Sequence, residues 1–152
     1  MKVFRISKCR YIEDFSGFGA ANYPGRWNSE GTHVLYTASS ASLAMLEILV
    51  HLHQIPAQDF CMASLEIPDN DIVSIDKEDL PEQWWQYPSP DRLKKIGDRF
   101  VREGEYLALR LPSSIIKEDD IVLINPAHRS ILEMKVIYIQ PIDIDQRLLK
   151  LK

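Results

Sequence analysis

Apolar and polar positions fall in short blocks along this chain. In Val3–Ile6 apolar residues flank Arg5, the period of a strand with one face toward a core. Val34–Thr37 is a run of β-formers, and Phe60–Ile67 and Ile72–Ile75 form two further strand blocks separated by the turn Pro68-Asp69-Asn70. Tyr106–Leu111, Ile121–Ile124 and Met134–Ile139 complete the strands.

Helical signals are fewer. Ser39 or Ser40 is placed to cap a helix from Ala41 to about His53, with Pro56 closing the segment. Leu, Ala, Met, Ile or Val occupies nearly every side of that helix, which predicts burial all round. Ser89-Pro90-Asp91 opens a second helix that runs to about Glu103 and stops at Gly104. Leu80–Tyr87, carrying Trp84, Trp85 and Tyr87, and the tail Asp145–Lys152 are candidates for short helices. Ser16–Gly31 reads mostly as loop, because Gly17, Gly19, Gly25 and Gly31, four of the chain's six glycines, fall there beside Asn22, Pro24 and Asn28.

Strands outnumber helices without regular βαβ alternation, so the expected fold is α+β: one compact domain with a mixed β-sheet core and a few helices. Length agrees, since 152 residues suffice for one core and leave little for a second.

Charge and cysteine content narrow the classes. Lys and Arg number 18 against 22 Asp and Glu, a net −4. The bases are scattered, so direct nucleic-acid binding is not expected. Cys9 and Cys61 lack metal-site spacing, and a chain this size needs no staple, which predicts reduced thiols in a cytoplasmic setting. The opening residues lack an apolar signal core. The longest apolar run, inside Leu43–Leu52, is too short for a bilayer, so no membrane association is expected. Phosphate loops of the GxGxxG or GxxxxGK[ST] type and a Gly-x-Ser-x-Gly elbow are absent. His51 and His53 fall on different helix faces without a third ligand, so no metal is expected.

Glu47 is the residue most out of place, a lone charge in the greasy stretch Leu43–Val50. Either it lies on the helix surface against His51, or it is a buried carboxylate that needs a cation. Arg26, in Gly25-Arg26-Trp27-Asn28, is the candidate cation, its guanidinium suited to phosphate or carboxylate. Tyr36 is either core or a stacking platform for a planar ring. Ser113 and Asn125 each end a strand and can face a ligand or cap a turn. Ser114, beside Ser113, competes for the first of these roles.

The ordered set Gly25-Arg26-Trp27-Asn28-Ser29-Glu30-Gly31, Tyr36-Thr37-Ala38, Leu43-Ala44, Glu47–His51, Leu111-Pro112-Ser113, Asn125-Pro126 and His128 resembles the RES domain, a family named for its arginine, glutamate and serine. The resemblance spans nearly the whole chain as a single RES domain, 1–152. It departs at Arg129, where many relatives have proline. By this resemblance Arg26 and Glu47 are catalytic, and Arg26, Tyr36, Ser113 and Asn125 bind substrate. It implies a fold similar to ADP-ribosyltransferase toxins, NAD as substrate with no prosthetic group, and cleavage of the nicotinamide–ribose bond. Water, phosphate or a protein would be the acceptor, and a Xre-type helix-turn-helix antitoxin the partner. A homodimer through an apolar face around Trp84 and Trp85 is a further expectation. The rivals are an RNA-cleaving toxin using Arg26, Glu47 and His128, and an inert module that only binds NAD or a partner.

Overall fold

A computed structural model of the chain describes residues 1–52 and 57–150, with the backbone alone at Lys150. Seven strands, β1 (Lys2–Lys8), β2 (Leu35–Ala38), β3 (Phe60–Glu66), β4 (Ile72–Ser74), β5 (Ala108–Pro112), β6 (Asp120–Ile124) and β7 (Lys135–Ile142), form one sheet in the order β4-β5-β6-β2-β1-β3-β7. β4 pairs β5 in parallel and every other described pairing is antiparallel. The sheet is therefore mixed, as the α+β pattern predicts.

The inner strands are apolar runs because both of their faces are covered. Along β6, Ile121 and Leu123 enter one core cluster while Val122 and Ile124 enter the other, and all four are buried. β3 splits the same way, with Phe60 and Met62 on one side and Cys61, Ala63 and Leu65 on the opposite one. β7 is an edge strand and largely exposed.

Among the described residues three α-helices accompany the sheet: α1 (Phe18–Asn22), α2 (Ala41–Leu49) and α3 (Lys94–Glu103). α1 adds a helical turn where the glycine-bearing stretch predicts loop. α2 starts as expected, the Ser40 hydroxyl accepting from the Leu43 N–H at 3.1 Å. It ends at Leu49. The later stop expected near His53 and Pro56 lies outside the described residues, as does the end of the predicted tail helix beyond Lys150.

α2 is not buried all round. It lies on the sheet by one face, and only Leu43 and Ala44 are fully buried. Its other flank, with Met45, Leu46 and Leu49, lines an apolar groove of about 430 Å³ beside Leu148. α3 follows a 3-10 turn at Asp91–Leu93 and ends at Gly104, but its first turn lacks the predicted serine cap. The described part of the tail, from Asp145 to Lys150, contributes a single 3-10 turn, Leu148–Lys150. Leu80–Tyr87 forms turns instead of a helix.

Two further expectations are overturned. Cys9 and Cys61 are joined in a disulfide between the end of β1 and its neighbour β3, so the thiols are not reduced and say nothing for a cytoplasmic setting. Trp84 is core, at 3% exposure, while Trp85 is 45% exposed. A two-tryptophan face for dimerisation therefore does not exist, because one ring fills the interior. Among the described residues no helix is long and apolar enough to cross a membrane.

Candidate active site

The loop carrying Arg26 is built around one buried amide. Asn28, fully buried, donates through Nδ2 to the carbonyls of Ala20, Ser29 and Thr32, and its Oδ1 accepts from the Gly25 N–H and the Tyr36 hydroxyl. The Tyr36 hydroxyl also accepts from the Trp27 N–H at 3.0 Å. Gly25 sits directly on that phenol: a Cβ there would lie 2.7 Å from the Tyr36 oxygen, so only glycine fits. Trp27, 2% exposed, plugs the core on the other side of Arg26.

α3 braces the same loop. Its Asp98 carboxylate accepts from the Ser29 N–H and hydroxyl at 2.8 and 2.6 Å. At Gly97 the helix backbone abuts Trp27, where a Cβ would fall 1.9 Å from the Trp27 carbonyl oxygen. Arg26 is thus fixed on both sides while its own side chain stays partly exposed.

The Arg26 Nη1 donates to the Trp84 and Gln86 carbonyls at 2.7 and 2.9 Å. Its Nε and Nη2 have no hydrogen-bond partner among the described residues, and no carboxylate lies within ion-pairing distance. Burial pulls the guanidinium below its ordinary value, and the charge of Glu47 opposes that pull. It remains a cation.

Glu47 lies one helical turn beyond Leu43, on the face of α2 that meets the sheet. The Ser113 hydroxyl, past the end of β5, donates to Glu47 Oε1 at 3.0 Å and accepts from the N–H groups of Ile115 and Ile116. Burial pushes the Glu47 carboxyl above its ordinary value, against the Ser113 hydrogen bond and the Arg26 charge, which hold it down. The lone acid of the greasy helix is therefore tucked in beside Ser113 and in the field of Arg26. Among the described residues Ser114 makes no contact of this kind, and the fully buried Ser113 is the serine that reaches Glu47.

Arg26, Tyr36, Glu47 and Ser113 come together, although they arrive from a loop, a strand, a helix and a strand end. Tyr36 joins them differently from expectation: its hydroxyl is committed to Asn28 and Trp27, so it shapes the Arg26 loop and has no proton to offer a ligand there. Burial, the largest effect, drives its phenol far above the ordinary range.

Asn125 does not join the cluster. β5 and β6 run antiparallel, with the Ser113 N–H on the Asp119 carbonyl at one end and the Asn125 N–H on the Leu107 carbonyl at the other. The five residues of β6 between them span roughly 17 Å of extended chain. The Asn125 amide ties Val101 to Ala127, and it lines a separate hollow of about 520 Å³ with Gly104 and His128. His128 lies at that same far end, its Nδ1 accepting from Ser130 N–H and facing Asp71 at 3.8 Å. Arg26, Glu47 and His128 therefore form no acid–base trio, which removes the geometric basis of the RNA-cleaving reading. Among the described residues no three His, Cys, Asp or Glu side chains gather as a metal site.

Asn28, Gly97 and Asp98 are the positions that pattern alone does not single out. Gly97 carries one usable signal, a glycine in mid-helix where it costs about 1 kcal/mol relative to alanine.

Comparison with known proteins gives a consistent result. A family model described as the RES domain matches residues 2–148. A protein named Toxin Res from Yersinia enterocolitica is 36% identical over 132 residues, covering 86% of this chain and 87% of its own. A second Toxin Res, from Photorhabdus laumondii, is 35% identical over 159 residues, covering 100% and 99%. A protein named Prs ADP-ribosylating toxin, from Sphingobium sp., is 35% identical over 121 residues, covering 76% and 74%. In fold, a chain of the crystal structure of the M. tuberculosis MbcT–MbcA toxin–antitoxin complex superposes with a TM-score of 0.72 at 12% identity, covering 93% of this chain and 84% of that one.

Proposed function

The chain belongs to the RES domain family of toxins, and from that premise we propose that it cleaves the nicotinamide–ribose bond of NAD. We further propose that a Xre-type helix-turn-helix antitoxin restrains it. The observation that carries this reading is the Glu47 carboxylate, partly desolvated, held by the Ser113 hydroxyl and opposed by a guanidinium that does not pair with it directly.

That arrangement suits the chemistry. Nicotinamide in NAD is a cationic pyridinium that leaves with the bonding electron pair as a neutral molecule, so no general acid is required. Positive charge then develops at the ribose anomeric carbon. A single preorganised carboxylate stabilises it and accepts the proton that an incoming hydroxyl acceptor releases. Glu47 takes this role. Arg26 presents its unused guanidinium edge to the pyrophosphate, fixing the ribose over Glu47. Ser113 orients the carboxylate, and Tyr36 holds the loop from which Arg26 reaches. Water, phosphate or a protein side chain can complete the transfer. The relative named as an ADP-ribosylating toxin favours transfer among these. The structural neighbour, a member of a toxin–antitoxin complex, supports the existence of a restraining partner. The reading sites the activity in the cytoplasm, where NAD is available.

The test follows NAD and its products by chromatography, with and without phosphate, for the parent chain and Glu47→Ala. Nicotinamide release by the parent and its loss by at least a hundredfold in the variant, at unchanged fold by circular dichroism, are expected for loss of one electrostatic stabiliser of about 2.7–4 kcal/mol. Undiminished release by Glu47→Ala would refute the assignment.

A further inference from the structure

Two loops frame the site. The turn holding Trp84, Trp85 and Gln86 is anchored on Arg26 through two carbonyls. The loop after β5 is anchored on Ser113, whose hydroxyl accepts from Ile115 and Ile116 while donating to Glu47. These loops meet away from their anchors: the Lys117 ammonium sits 4.4 Å above the centre of the Trp85 indole. Arg26, Trp85, Lys117, Ser113 and Glu47 therefore belong to one circuit, made of two anchored loops, one contact between the loops and the charge of Arg26 felt at Glu47.

The contents of that circuit are unusual for a surface. Trp85 is 45% exposed, while Trp27 and Trp84 are core. Lys117 is exposed and has no carboxylate partner among the described residues. The same turn holds Arg26 by Nη1 alone, which leaves Nε and Nη2 of the guanidinium unused. One accessible indole thus carries an ammonium on its face and stands between the two residues whose carbonyls hold a guanidinium. A ligand that matches them carries paired phosphates and a flat heterocycle.

We propose that Trp85 and Lys117 form the second half of the dinucleotide site, receiving the purine and pyrophosphate that Glu47 does not touch. This rests on the reading of the site given above and extends it to substrate recognition. On binding, the base stacks on the Trp85 indole in place of the ammonium, and Lys117 moves onto the pyrophosphate opposite Arg26. The exchange replaces one cation–π contact with a stacked base and a charge-assisted pair, a favourable trade for a ligand that carries both a purine and paired phosphates. Mononicotinamide fragments would leave both residues engaged with each other.

Intrinsic fluorescence and calorimetry with ADP-ribose, ADP, adenosine and nicotinamide test this on the full chain. ADP-ribose is expected to quench the emission of the exposed indole and nicotinamide to leave it unchanged, with the quench lost in Trp85→Phe. Trp85→Ala should weaken ADP-ribose and adenosine alike by roughly tenfold, within the range measured for single base–aromatic stacks. Lys117→Met, a change at an exposed side chain, should weaken ADP-ribose and ADP by about the same factor without weakening adenosine, which needs only the indole. For nicotinamide release, both variants should raise KM by a similar factor with kcat within about twofold, the signature of lost uniform binding. If the parent binds ADP-ribose and turns over NAD while both variants match it, the proposal falls and the Glu47 site stands. If the parent neither binds ADP-ribose nor releases nicotinamide, the reading of the site falls and takes the proposal with it.

Discussion

Replacing Ser113 by alanine isolates the link between fold and chemistry. The hydroxyl is fully buried, donates one hydrogen bond to Glu47 and accepts two from the Ile115 and Ile116 N–H groups. A bond to a charged group contributes about 1.5–3 kcal/mol and a neutral one about 0.5–1.5. Some of the second kind is recovered, because the loop borders solvent and water can reach its N–H groups. A net loss of about 2–4 kcal/mol follows. For a chain near this size each kcal/mol lowers Tm by roughly 2–4 °C, so a fall on the order of 10 °C is expected by differential scanning calorimetry at neutral pH.

Activity should change in a direction that stability alone does not predict. Ser113 is one of the two influences that hold the Glu47 carboxyl down against burial. Without it the carboxyl rises further, and the acidic limb of the kcat/KM profile moves to higher pH. Ser114→Ala, one position along, should leave both Tm and profile as in the parent. A Ser113→Ala chain with the parent's Tm and unshifted acidic limb, or a Ser114→Ala chain that shows these losses, would refute the reasoning.

Other perturbations read neighbouring parts of the same construction. Because burial raises the Glu47 carboxyl in the folded chain, its contribution to stability is complete below the ordinary carboxylate pKa and is lost as pH rises through the raised folded value. Glu47→Gln should therefore be more stable than the parent at neutral pH, by about 1 kcal/mol, the usual scale of a stabilising single change. The two melting curves should converge in acid; equal Tm values at neutral pH would contradict the desolvation argument. Gly97→Ala, which in an ordinary helix stabilises by about 1 kcal/mol, should here destabilise by about 1–3 kcal/mol, since its methyl meets the Trp27 carbonyl. Because that push is delivered next to Arg26, nicotinamide release should fall further than the Tm explains, measured below the melting range. An alanine variant that is more stable and fully active would show that α3 does not set the Arg26 loop.

The sequence by itself determined the elements and the oddities. Period-two blocks and β-branched runs located every strand to within a few residues, because a sheet covered on both faces leaves that pattern in β3 and β6. Glu47 stood out for the reason that mattered, a charge in an apolar helix being costly unless something holds it. Arg26, Tyr36 and Ser113 were legible only as members of an ordered motif, since a loop arginine, a strand tyrosine and a strand-end serine are each commonplace alone.

Tertiary structure decided what those residues do to one another. No local signal tells that Ser113 lies beside Glu47, 66 positions earlier, or that Tyr36 turns its hydroxyl toward the Arg26 loop. Strand order decided against Asn125 and His128: β5 and β6 run in opposite directions, so strand ends that look equivalent in the chain lie at opposite ends of the sheet. It also decided that Cys9 meets Cys61, that one of two adjacent tryptophans is core and that α2 keeps an open flank. The physical reason is common to these cases. Composition and periodicity report which side chains avoid water, whereas hydrogen-bond partners and electrostatic fields depend on which distant segments the sheet sets side by side.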